Sequence, residues 1–139
     1  MWLLDYSTTG LRDYQTGELM PRIVRGAILQ ATWAGDKQSM IDKHVSYVEQ
    51  AAKEGAQVMC FQELFYGPYF CQIQDPKYYD LTEPMPEGPT VKLMQEQAKK
   101  HKMVLIVPMY EVDNTGFYYN TAAVIDADGS YLGKYRKTH

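Results

Sequence analysis

Val58-Met59-Cys60-Phe61-Gln62-Glu63-Leu64-Phe65 is the stretch on which the reading of this chain turns. A short apolar run leads straight into a glutamate, and Tyr66-Gly67-Pro68-Tyr69-Phe70-Cys71 follows as an aromatic-rich turn. An apolar run of this length bounded by Gly and Pro reads as a buried strand. In an open α/β sheet, the carboxyl end of such a strand faces the ligand crevice. A carboxylate placed there among aromatics has the setting in which desolvation tunes a general base. The plainer alternative for Glu63 is a salt-bridged or solvated loop carboxylate, and position alone leaves both open.

Working outward, Ile23 to Gln30 is rich in β-branched residues and reads as the first strand. Asp36 caps a helix expected from Lys37 to Glu54, with Met40, Ile41, Val45, Val48, Ala51 and Ala52 as its apolar stripe and Gly55 just past its end. With the strand at 56–61 this makes a β-α-β unit, which predicts parallel pairing. Residues 65–88 are loop-rich, with one helical turn at 77–81. Pro89 opens a second amphipathic helix whose C-terminal end is basic. Met103 to Tyr110 is almost wholly apolar, as suits a strand covered on both faces. Tyr119 to Asp126 and Ser130 to Tyr135 follow as two strands joined by the Asp126-Ala127-Asp128-Gly129 turn. Residues 1–22 show no clear periodicity and read as an N-terminal extension, leaving 23–139 as the domain proper. The fold class is α/β with a mixed sheet.

Composition sets the outer bounds. The 139 residues suffice for one domain, and 45% apolar with 22% charged is ordinary for a globular chain. A net charge of −3 argues against nucleic acid as a partner, since phosphate binding needs a basic excess. No run approaches the ~20 apolar residues of a membrane span. Two cysteines form no disulfide framework, and Met1-Trp2-Leu3-Leu4 has no basic segment before it, so a cytoplasmic protein with reduced thiols is expected. Nine of the twelve tyrosines gather at 66–79 and 110–135, consistent either with surface packing or with an aromatic pocket or subunit interface.

No glycine-rich nucleotide loop occurs, so a nucleotide reading has no support, and His44, His101, His139, Cys60 and Cys71 have no metal-ligand spacing. His44 and His101 read as solvated residues on polar helix faces. Lys137, in the run Lys134-Tyr135-Arg136-Lys137, is by itself an unspecific surface cation.

Taken together, Cys60-Phe61-Gln62-Glu63-Leu64-Phe65 and Gly133-Lys134-Tyr135-Arg136-Lys137-Thr138-His139 closely resemble the nitrilase superfamily of carbon–nitrogen hydrolases. Glu87-Gly88-Pro89-Thr90, Tyr119-Asn120-Thr121-Ala122 and Asp128-Gly129 match in the same order. Phe65-Tyr66-Gly67-Pro68-Tyr69-Phe70-Cys71-Gln72 is most similar to the branch acting on N-carbamoyl compounds, which includes β-ureidopropionase and N-carbamoylputrescine amidase.

The resemblance implies a four-layer α-β-β-α sandwich, of which this chain supplies the N-terminal half. It also implies a hydrolase without cofactor, a homodimer or larger assembly, and a small N-carbamoyl or amide substrate, with N-carbamoyl-β-alanine first and N-carbamoylputrescine second. Glu63 matches the glutamate of a Glu-Lys-Cys triad and Lys137 its lysine. Tyr66, Tyr69 and Phe70 are the expected substrate contacts. The family's cysteine lies downstream of the lysine motif, beyond residue 139. Cys60 reads as a buried apolar residue and Cys71 as a loop residue near the pocket. The competing expectation is a truncated, inactive family member acting as an interaction module.

Overall fold

In the computed structural model, backbone is described for residues 1–12 and 19–138, and side chains for 1–6 and 23–138. The Gly17 punctuation and His139 of the basic motif lie outside the described residues. Six strands form one sheet whose spatial order is also the chain order: β1 (Trp2–Arg12), β2 (Leu19–Ile28), β3 (Val58–Cys60), β4 (Val104–Val112), β5 (Tyr118–Ile125) and β6 (Tyr131–Arg136). Helix α1 (Lys37–Lys53) joins β2 to β3, and α2 (Pro89–His101) precedes β4. Both crossovers join parallel neighbours, as the β-α-β pattern requires, while β4, β5 and β6 run antiparallel.

Local chemistry sets the boundaries. Asp36 accepts from the Ser39 N–H and hydroxyl, closing the start of α1, and Gly55 takes the left-handed φ of +82° after its end. Pro89 occupies the first turn of α2, where its missing N–H costs nothing. The buried Glu83 carboxylate accepts from the Thr90 N–H and hydroxyl and pairs with Lys37, so a side chain from the preceding loop caps α2.

Both helices lie on one face of the sheet. The core joins Met40, Ile41, Val48 and Ala51 of α1 and Val91, Met94 and Ala98 of α2 to Ala27, Met59, Leu105, Val107, Met109, Ala123 and Ile125 of the strands. Strand β4 alternates strictly between buried and half-buried positions. Its expected burial on both faces is therefore met on one face only. Val104, Ile106 and Pro108 point to a face that no described element covers, which is why they stay partly accessible. The sheet and one helical layer form the α-β half of an α-β-β-α sandwich.

Three further expectations are corrected. The stretch before Ile23, expected to carry no regular element, holds β1 and the start of β2, which pair antiparallel with Trp2 opposite Ile28. His44 is not solvated: it is fully buried, and its ring packs 5.1 Å from Phe61 and 4.6 Å from Phe65. It falls on the α1 stripe four residues after Met40 and four before Val48, so helical geometry turns it inward. His101 is half-buried rather than solvated, and its Nε2 is shielded from solvent with no hydrogen-bond partner.

Candidate active site

Glu63 stands three residues after the end of β3, where the chain leaves the sheet in a turn. Leu64 makes that departure with a φ of +50°, in the left-handed region that a branched side chain rarely occupies, and its side chain is buried. The Phe65 N–H donates to the Pro108 carbonyl, which ties the turn to β4. Core burial of Leu64 and Phe65 thus anchors the turn and leaves Glu63 facing outward beside β5 and β6.

Lys137 follows the end of β6, and its N–H donates to the Asn120 carbonyl, extending the β5–β6 ladder by one bond. Register places Ala122 opposite Tyr135 and Thr121 opposite Arg136. Alternation then sends Tyr135 and Lys137 to the uncovered face and Lys134 and Arg136 to the helix face. On the uncovered face the Lys137 ammonium donates to Glu63 Oε1 at 2.6 Å, and the Asn120 amide donates to the same oxygen at 2.6 Å. Pro108, Ala122 and Tyr135 complete an open groove of about 410 Å³ around the trio.

The charges reinforce one another. Hydrogen bonding from Lys137 holds the Glu63 carboxyl below its ordinary range, opposed by partial burial and aided by Asn120. The same hydrogen bond and the carboxylate's charge push Lys137 upward. The pair is therefore a carboxylate and an ammonium at neutral pH. Among the described residues nothing donates to Glu63 Oε2, and Lys137 spends one of its three N–H bonds on Glu63. One carboxylate oxygen is free to take a proton, and two ammonium hydrogens are free to meet a developing oxyanion.

The expected substrate contacts divide. Tyr69 is exposed, does not line the groove, and has its hydroxyl pushed above its ordinary value by the neighbouring Cys71 first and the Glu63 carboxylate second. Phe70 lies one pocket away, stacked on Tyr78 with centroids 4.9 Å apart and tilted against Tyr110. Tyr66 does not reach the groove. It is buried, its hydroxyl donates to the Tyr110 carbonyl at 3.2 Å, and the Lys37 ammonium sits over its ring. The turn after Leu64 rotates Tyr66 into the core, and this removes it from the set of contacts.

Asn120 has a role that sequence reasoning missed, although the Tyr-Asn-Thr-Ala stretch was visible. Neither thiol joins the pair. Cys60 is half-buried, its Sγ is directed to the Phe61 carbonyl, and burial pushes its pKa up. Cys71 is exposed on the loop and makes no hydrogen bond to Glu63 or Lys137 among the described residues. The described residues hold no cluster of three or more metal-ligating side chains.

Comparison with known proteins bears on this geometry. A family model described as carbon–nitrogen hydrolase matches residues 25–139. An N-carbamoylputrescine amidase from Solanum lycopersicum is 39% identical over 118 residues, covering 85% of this chain and 39% of the relative. A citrullinase from Francisella tularensis is 39% identical over 116 residues, covering 84% and 40%. The crystal structure of a carbon–nitrogen hydrolase from Helicobacter pylori superposes with a TM-score of 0.73 at 36% identity, covering 81% of this chain and 39% of that one. The chain spans about 40% of the length of these relatives.

Proposed function

The chain belongs to the carbon–nitrogen hydrolase family, and from that premise we propose that the protein hydrolyses an N-carbamoyl amide with Glu63 and Lys137 as two of its three catalytic groups. The observation that carries this reading is the 2.6 Å contact between Glu63 and Lys137 on the uncovered face of the sheet. Glu63, through its free oxygen, takes the proton of a thiol nucleophile and later activates the water that releases the acyl group. Lys137 stabilises the oxyanion of each tetrahedral intermediate, and Asn120 steadies the carboxylate that pairs with it. The family likeness puts the nucleophilic cysteine downstream of the lysine motif, outside residues 1–139, and neither Cys60 nor Cys71 is hydrogen-bonded to the pair.

The substrate class follows from the branch likeness of the Phe65–Gln72 loop and from the amidase relative. N-carbamoylputrescine and N-carbamoyl-β-alanine are its two leading members. A cytoplasmic location fits the free thiols, and a homodimer or larger assembly is what the family likeness implies. The test is ammonia release from both compounds by the full protein. Turnover that survives Cys71→Ala but not Glu63→Gln supports the assignment. Absence of turnover on any N-carbamoyl or amide substrate favours the interaction-module reading instead.

A further inference from the structure

The helix face of strands β4, β5 and β6 holds a second ion network that the proposed chemistry does not use. Glu111 on β4 is 1% exposed. It accepts from the Thr121 hydroxyl at 2.7 Å, from the Lys134 ammonium, and from both Nε and Nη2 of Arg136 at 3.0 and 2.7 Å. The Arg136 guanidinium also lies 3.6 Å over the Tyr119 ring. Burial alone would raise the Glu111 carboxyl, yet the four donors hold it down to about 2.

The position of this network matters because β6 lies at the end of the sheet, with β5 as its single strand neighbour. A backbone ladder on one side leaves an edge strand free to slip or peel. Glu111 reaches across from β4, two strands away, and clamps the side chains on either side of Tyr135. Lys137 is the next residue after the bidentate Arg136. Its backbone is thus held by the Asn120 carbonyl on one side and by the Arg136 fork one residue earlier.

We propose that Glu111 is a positioning residue, which acts through Arg136 and Lys134 to fix the end of β6 and so hold the Lys137 ammonium against Glu63. The inference rests on the Glu63–Lys137 pair being the working site. Two carboxylates on opposite faces of one sheet then divide the labour: the buried one sets the strand and the exposed one receives the lysine. A displacement of about 1 Å at a reacting group lowers rates by ~10²-fold, so a loosened β6 is felt in turnover before it is felt in binding.

The experiment compares Glu111→Gln and Arg136→Gln with the unaltered full protein. Peptide-resolved acetylation of Lys137 by acetic anhydride is measured, with the exposed Lys92 as internal control. Release of Lys137 from Glu63 lowers its pKa, and each unit raises the reactive amine about tenfold. The expected result is acetylation at least ~3-fold faster at Lys137 and unchanged at Lys92. It is accompanied by a fall of at least ~10-fold in kcat with KM little changed. Unchanged Lys137 reactivity in a folded variant overturns the proposal. Glu111→Gln leaves two cations beside a neutral amide. If that variant does not fold, Arg136→Gln, altered at a one-third-exposed side chain, decides by the same readout. The acetylation readout needs no substrate, so it judges the positioning claim even if the hydrolase reading fails.

Discussion

Glu63 and Lys137 are 74 positions apart in the chain and 2.6 Å apart in the fold, joined on the face of the sheet opposite the helices. The pair is about two-fifths exposed, so its attraction contributes little to stability. Its geometry matters for what it can do to a bound carbonyl.

Glu63→Gln and Lys137→Met are accordingly expected to separate activity from folding. Each should lower turnover of the full protein by on the order of 10²–10⁴-fold. Thermal melting should be nearly unchanged. Normal turnover in either variant removes that residue from its role.

The ionisation of Glu63 should respond to its partner. Lys137 is the largest cause of its depressed pKa, so Lys137→Met should move the Glu63 titration upward. Replacing Asn120 by alanine should move it in the same direction and by less. Carboxyl-resolved NMR titration measures both, and a Glu63 midpoint that stays put would detach it from Lys137.

His44 makes stability depend on pH. Its Nδ1–H donates to the Met40 carbonyl, its Nε2 is buried without a partner, and burial brings its pKa down to about 4 from 6.5. The folded state holds the ring neutral, while the unfolded chain takes up a proton below 6.5. Stability is therefore full above pH 6.5 and declines as pH falls toward 4, by roughly 3 kcal/mol. Urea unfolding at pH 7.5 and 4.5 reads the change, and His44→Phe should flatten it.

Gly88 is required by space. A Cβ there would stand 2.6 Å from the Pro84 carbonyl oxygen and 2.7 Å from Glu83 Oε2. Gly88→Ala must displace the carboxylate that caps α2 and should cost roughly 1–3 kcal/mol. Unchanged denaturant midpoints would mean the loop yields freely.

What the chain discloses before folding is whatever carries its own local chemistry. Asp36, Gly55, Pro89 and the Asp-Gly turn each set a boundary through a cap or a φ angle, and each stands where the sequence places it. Glu63 and Lys137 were legible as family motifs. Asn120, Glu83 and Glu111 were not, because a lone polar residue means little until its partners arrive. The donors to Glu111 sit 10, 23 and 25 positions further on. Tyr66 was misplaced because an aromatic beside a site looks like a wall of it, whereas the Leu64 turn sends it inward. Trp2, Leu4 and Tyr6 did alternate, and the polar run after them hid the strand.

Since the strands lie side by side in the order in which they are synthesised, each new strand meets a partner already made. No strand must wait for a later one, so growth from the ribosome can lay the sheet down one edge at a time. The carboxylate at residue 63 is then in place early, after the third strand, and stays without its cation until the sixth emerges. The pairing of Glu63 with Lys137 is the last contact this half of the fold acquires, and replacing Lys137 would leave the sheet while removing the ammonium.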